Sequence, residues 1–181
     1  MSRALLIYAN GSEDIEITAP ADILTRGGVE VVRAALGDHK EITLAHGTRV
    51  ICDICLNEVE GEFDLILVPG GMPGALYCSQ SKTLISMLSE QKSKHRLIAA
   101  ICAAPGYVLA KHGILNDEKA TGYPGCDEEI KNCTGNGVEI SEDGKIITGK
   151  GPAFAMQFAL AVLKSLEGEE VARNVAKGML F

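Results

Sequence analysis

Short, largely apolar runs alternate along this chain with longer stretches in which apolar positions recur every three or four residues. Ala4 to Tyr8, Val29 to Ala35, Leu65 to Val68 and Leu97 to Ile101 are of the first kind. Runs of that length predict strands, and three of the four lack the polar alternation of a strand with one wet face, so burial on both faces is expected. Glu13 to Arg26, Lys82 to Lys94, Pro105 to His112, Pro152 to Leu166 and Glu169 to Lys177 are of the second kind and predict helices. Gly27-Gly28 stops the first of these, and Pro69-Gly70-Gly71 stops the strand that ends at Val68. Two hairpins are expected as well. One joins Ile42–Leu44 to Arg49–Cys52 around His46-Gly47, and the other joins Val138–Ile140 to Ile146-Ile147 around Asp143-Gly144. Buried strands separated by helices predict an α/β fold, a parallel sheet covered by helices on both faces. No linker, repeat or low-complexity stretch divides the chain, so residues 1–181 read as a single domain.

Composition narrows the partners. Hydrophobic residues make up 46% of the chain, enough to fill one core, and the formal net charge is −7. No Lys/Arg cluster forms the basic stripe that a nucleic-acid duplex requires, so no nucleic acid is expected as a partner. No apolar run is long enough for a membrane span. The apolar run at the N-terminus meets Asn10-Gly11-Ser12 too early for a secretory signal, which sets the expectation of a cytoplasmic protein with reduced thiols. Of the six cysteines, Cys52 and Cys55 have C-x-x-C spacing. They follow a strand-like run and open no helix, unlike a redox-active pair, and no second pair or H-x-x-x-H completes a zinc set. Neither a metal nor a cofactor is expected.

In open α/β sheets, chemistry collects beyond the carboxyl ends of the strands. Three such ends stand out. Cys102 follows Leu97–Ile101 directly, with Ala103-Ala104-Pro105 behind it. Small residues permit the sharp strand-to-helix turn of a nucleophile elbow, and Pro105 suits the first turn of a helix. A thiol there would feel the positive end of the helix dipole, which lowers its pKa below ~8.5. The competing reading is an inert cysteine packed among alanines. Glu16 stands between Ile15 and Ile17 and could turn inward, where burial keeps a carboxyl protonated and able to donate to a thiolate. Glu13 and Asp14 are better read as a solvated face complementing the dipole. Gly70-Gly71 would let backbone N–H groups approach a developing oxyanion, or would simply end a strand. The nucleotide-binding glycine patterns G-x-G-x-x-G and G-x-x-x-x-G-K-[ST] are absent. His39, His46, His95 and His112 read as surface or capping residues, His112 as a helix C-terminal cap.

The blocks Asn10-Gly11-Ser12-Glu13-Asp14-Ile15-Glu16, Val68-Pro69-Gly70-Gly71 and Ala99-Ala100-Ile101-Cys102-Ala103-Ala104-Pro105, in that order, resemble the signature of the DJ-1 branch of the DJ-1/ThiJ/PfpI superfamily. The run Ile147-Thr148-Gly149-Lys150-Gly151-Pro152 and the helix after it fit too, so the resemblance extends over essentially the whole chain. It implies a flavodoxin-like sheet, a homodimer and a cofactor-free site. Cys102 would be the nucleophile, Glu16 its protonated partner, and the N–H groups of Gly71 and Ala103 the oxyanion donors. Gly70, Tyr123 and Pro152 would line the pocket. Members of the family are described as glyoxalases that convert methylglyoxal to lactate and as deglycases acting on early glyoxal adducts of proteins. They are also described as oxidative-stress sensors and chaperones, which makes a non-enzymatic redox role for Cys102 the alternative. Two departures matter. Tyr123 stands where many animal members carry a histidine, and Gly151-Pro152-Ala153-Phe154 replaces the usual Gly-Pro-Gly-Thr. Ala103 stands where the protease branch places a histidine, so a thiol amidase or peptidase ranks third.

Overall fold

The computed structural model describes residues 1–181. Its elements are β1 (Arg3–Tyr8), α1 (Asp14–Arg26), β2 (Glu30–Ala35), β3 (Glu41–Thr43), β4 (Arg49–Ile51), β5 (Ile54–Cys55), β6 (Leu65–Val68), α2 (Gly74–Gln80), α3 (Lys82–Ser93), β7 (Leu97–Ile101), β8 (Lys119–Ala120), β9 (Asn132–Cys133), β10 (Val138–Ile140), β11 (Ile146–Gly149), α4 (Ala155–Glu167) and α5 (Glu169–Gly178). Seven strands form one sheet in the order β10-β11-β7-β6-β1-β2-β5. All pairs are parallel except β10 with β11, the hairpin expected around Asp143-Gly144, so the sheet is mixed and mostly parallel. The exception has a local cause. Asp143-Gly144 turns the chain back within four residues, and a tight turn can only return an antiparallel strand. The predicted hairpin β3–β4 is present but stands apart from the main sheet.

The pleat of the central strands explains why their sequences carry no polar alternation. Ala4, Leu6 and Tyr8 of β1 face a core shared with Ile17, Leu24, Phe158 and Val162 of α1 and α4. Leu5 and Ile7 face the other core, with Leu84 and Leu88 of α3, Val108 and Leu109. Both faces of the sheet are therefore dry, as the flavodoxin-like expectation requires. Burying a leucine fully contributes roughly 1.5–3 kcal/mol, so every residue of these strands contributes to stability.

Several local expectations needed correction. Helix α2 was not foreseen, because Gly74 and its small neighbours give it no apolar stripe. The expected helix Pro105–His112 is a π-helical run over Pro105–Ala110, with the Lys111 N–H reaching back to the Gly106 carbonyl at 3.1 Å. Gly106 lies against the Cys126 carbonyl with no room for a side chain. His112 lies in the turn beyond this run, and its Nε2 pairs with the Ser79 hydroxyl at 3.0 Å instead of capping a helix. The start of α3 follows ordinary capping rules, with the Leu84 N–H donating to Ser81 Oγ at 3.2 Å. Ser81→Ala is expected to lower the unfolding free energy by about 1 kcal/mol, read as a shift in the urea midpoint at constant slope.

Candidate active site

Sheet order brings the three singled-out segments together. β7, β6 and β1 are neighbours, so the turns that follow Ile101, Val68 and Tyr8 meet at one edge of the sheet. Cys102 has φ 65, in the left-handed region that costs a non-glycine residue roughly 1–2 kcal/mol. Two hydrogen bonds hold it there. Its N–H donates to the Gly149 carbonyl at 2.8 Å, and its carbonyl accepts from the Tyr123 N–H at 2.8 Å. The side chain is thereby turned up at the strand end as an elbow, with the residue 8% exposed.

Glu16 is fully buried. Its Oε2 accepts from the Gly70 N–H at 2.9 Å, while Oε1 has no oxygen or nitrogen partner. The group that faces the carboxyl is the Cys102 thiol. Burial is the main reason the Glu16 pKa is pushed up to about 7, and the nearby Glu13 charge adds to it. Near neutrality Glu16 is therefore at the edge of protonation, and its free oxygen is the one placed to carry the proton toward sulfur. Gly70 is the hinge of this arrangement. A Cβ built on it would lie 2.5 Å from Cys102 Cβ, 2.7 Å from Glu16 Oε2 and 2.9 Å from the Ala103 nitrogen. It is buried between the two functional groups.

The thiol itself departs from expectation. Burial, then the charge of Glu16 and the hydrogen bond with it, raise the Cys102 pKa to about 12. The expected lowering came from a helix dipole, but the segment behind Cys102 is a six-residue π-helical run, too short to build one. The N–H groups of Gly71 and Ala103 point at the sulfur and favour the thiolate. The thiol and carboxyl titrate together. When Glu16 holds a proton its repulsion disappears and its O–H becomes a donor to sulfur, so the site stabilises a thiolate only beside a protonated Glu16. Gly71 reaches its position with φ 84, and a Cβ there would meet the Glu13 nitrogen at 2.3 Å, so only glycine fits.

A pH dependence follows. A carboxyl whose pKa rises from 4.5 to about 7 on folding binds its proton more tightly in the native state. Stability from this group is complete below its unfolded pKa and is lost as pH rises to about 7, with a limiting slope of about 1.4 kcal/mol per pH unit. Urea midpoints of the wild type are expected to fall over that window relative to Glu16→Gln, whose midpoints lack this loss.

Tyr123 is bonded to the site through its N–H, and Pro152 opens the short turn that follows Gly151. The Tyr123 ring packs on Gly151, where a built Cβ would lie 3.3 Å from Cδ2, and the residue is 48% exposed. Phe154 of the divergent block turns away and packs on Gly137. No histidine is among the groups facing Cys102. The open hollow walled by Asn116–Lys119, Asn132–Thr134, Glu142 and Asp143 includes none of the residues around Cys102. The sequence did not point to the clamps at Gly149 and the Tyr123 backbone, because main-chain contacts leave no residue-type signal. Glu13 was assigned to a solvated face, yet it is 7% exposed and its side chain accepts from the Glu16 N–H at 2.8 Å. Glutamate is not a usual helix cap, so its identity gave no warning.

Comparison with known proteins agrees with this geometry. The family model described as DJ-1/PfpI family matches residues 2–165. Protein DJ-1alpha of Drosophila melanogaster is 38% identical over 98% of this chain and 83% of its own length. A Caenorhabditis elegans relative named Glutathione-independent glyoxalase DJR-1.2 is 32% identical over 97% of this chain and 94% of its own. The chain spans only 46% and 40% of two Arabidopsis thaliana relatives, Protein DJ-1 homologs A and B. Among solved structures, oxidized Toxoplasma gondii DJ-1 superposes with a TM-score of 0.96 at 38% identity, covering 100% of this chain and 99% of that one. With the model, the relatives and the sheet-edge constellation all in agreement over nearly the full length, the chain belongs to the DJ-1/PfpI family.

Proposed function

We propose that this protein is a cofactor-independent glyoxalase and deglycase, acting through Cys102 and Glu16 on methylglyoxal, glyoxal or their early adducts on proteins and amino acids. The observation that carries the reading is the Cys102 sulfur set between two N–H donors and a buried carboxyl with one free oxygen. The name of the Caenorhabditis elegans relative supports the same reaction class.

The reaction on methylglyoxal runs in three steps. The Cys102 thiolate attacks the aldehyde carbon, forming a C–S bond while the carbonyl π electrons move to oxygen. The N–H groups of Gly71 and Ala103 steady that oxyanion until the Glu16 carboxyl protonates it, giving a hemithioacetal. The Glu16 carboxylate then removes the proton from the former aldehyde carbon and returns it to the neighbouring carbon through an enediol, leaving a thioester. Water cleaves the thioester to lactate and restores the thiol. Early adducts enter by displacement: the thiolate forms a C–S bond at the carbon that bears the amine or thiol as that C–N or C–S bond breaks, and the Glu16 carboxyl protonates the leaving group, giving the same hemithioacetal. The Tyr123 ring and Pro152 form the rim that excludes bulkier carbonyls. The site works as a homodimer in the cytoplasm on this reading. Incubation of reduced protein with methylglyoxal, without glutathione or added metal, is expected to yield lactate; no lactate would overturn the function.

A second reading has one observation in its favour. Cys102 lies beside a carboxyl that can donate to an oxidised sulfur. Peroxide would convert its thiolate to sulfenic and then sulfinic acid, making it a redox sensor or redox-regulated chaperone. The two N–H donors favour the enzyme, because storing an oxidation state needs no oxyanion site. An amidase or peptidase is disfavoured, since no histidine faces the sulfur.

A further inference from the structure

Glu13 lies outside the reaction just described, yet it is built into the same edge of the sheet. Its N–H donates to the Gly70 carbonyl at 3.1 Å, so it is tied to the residue that binds Glu16. Its Oε2 accepts from the Glu16 N–H at 2.8 Å and closes the first turn of α1. Its Oε1 is faced at 3.7 Å by Nε2 of His46, which comes from the tip of the β3–β4 hairpin. That tip is fastened to the same loop. The Ala45 N–H donates to the Ser12 carbonyl at 2.8 Å, and the His46 N–H donates to Asp14 Oδ2 at 2.8 Å. A nearly buried residue held by its backbone N–H and by both carboxylate oxygens is more than a helix cap.

We propose that Glu13 is a positioning residue of the Cys102 site. Its side chain clamps the turn that carries Glu16, and its charge acts on the Glu16 carboxyl and through it on the Cys102 thiolate. The charged or titratable groups in play are Glu16, Cys102, Asp14 and Glu13 itself from the sheet edge and α1, and His46 at the hairpin tip. The sign is fixed by Coulomb's law. A negative Glu13 opposes ionisation of Glu16, keeps the proton on that carboxyl, and so leaves the sulfur free to be the anion. Removing the charge lets Glu16 ionise earlier, and the shared proton passes to sulfur. His46, only when it carries a proton, works in the opposite sense and more weakly because its side chain is 73% exposed.

The inference rests on the pairing of Cys102 with Glu16 but not on aldehyde turnover, so its test reads the pair directly. Glu16 protonation is followed by its infrared carbonyl band, with Glu16→Gln identifying the band. Cys102 thiolate is followed by the rate of alkylation with iodoacetamide. Glu13→Gln keeps an oxygen to accept from the Glu16 N–H and removes only the charge. It is expected to shift the Glu16 midpoint downward by roughly one pH unit. Alkylation of Cys102 near pH 7 is expected to slow by about tenfold for each unit of that shift. His46→Gln is expected to shift the midpoint upward, by less, and to lose its effect in 1 M salt, where the Debye length is about 3 Å. Glu13→Ala separates clamp from charge, since it alone also lowers the thermal unfolding midpoint. An unmoved Glu16 midpoint in folded Glu13→Gln would overturn the proposal, whether or not the protein makes lactate.

Discussion

Gly70→Ala is expected to abolish methylglyoxal turnover and to lower the unfolding free energy by about 1–3 kcal/mol or more. The new methyl group has nowhere to go. It would sit 2.5 Å from Cys102 Cβ, 2.7 Å from the Glu16 oxygen and 2.9 Å from the Ala103 nitrogen. The Cys102 Cβ and the Ala103 nitrogen move only with the backbone, and only the Glu16 oxygen is the end of a side chain. Cys102 is pinned at φ 65 by backbone bonds on both sides, and Glu16 takes its hydrogen bond from Gly70 itself. Relief therefore comes only by parting the thiol from the carboxyl or the Ala103 N–H from the sulfur. Urea unfolding and lactate formation measure the two effects. A folded Gly70→Ala protein with wild-type turnover would show that the contact between Cys102 and Glu16 is not needed.

Cys102→Ser is expected to bring lactate formation down to the uncatalysed rate while leaving the fold intact. The hydroxyl occupies less space than the thiol, and the main-chain bonds to Gly149 and Tyr123 do not involve the side chain. An alcohol is far harder to ionise than a thiol, and no neighbouring histidine is present to take its proton. The variant should also lose alkylation by iodoacetamide at this position, even though Cys126 and Cys133 remain accessible thiols. Retained turnover would point to another nucleophile and end the assignment of Cys102.

The architecture was legible where burial dictated residue type. Leu5, Leu6, Ile7, Ile66 and Leu67 had to be apolar because both faces of their strands are dry, and their runs announced the central sheet. The site was legible at three points because each demanded an unusual residue in its place. Cys102 sits on a strained turn, Gly70 and Gly71 sit where a Cβ would collide, and Glu16 is a carboxyl between isoleucines. What stayed hidden was carried by main-chain atoms or by exceptions to preference. β5 is two residues long and α2 has no apolar stripe, so neither had a periodicity to read. The raised pKa of Cys102 was hidden as well, because it arises from burial and from a carboxyl 86 positions away in sequence.

The division of labour between sulfur and carboxyl is the centre of this account, and Glu16→Gln tests it most directly. Glutamine keeps an oxygen to accept from the Gly70 N–H but cannot carry a proton between carbons. Lactate formation from methylglyoxal should be measured for this variant beside the wild type, with alkylation by iodoacetamide confirming that Cys102 is still reactive. The account predicts that the thiol remains alkylatable while kcat falls by about 10²–10⁴-fold, the usual size of a lost general acid–base. Turnover at the wild-type rate in Glu16→Gln would contradict it.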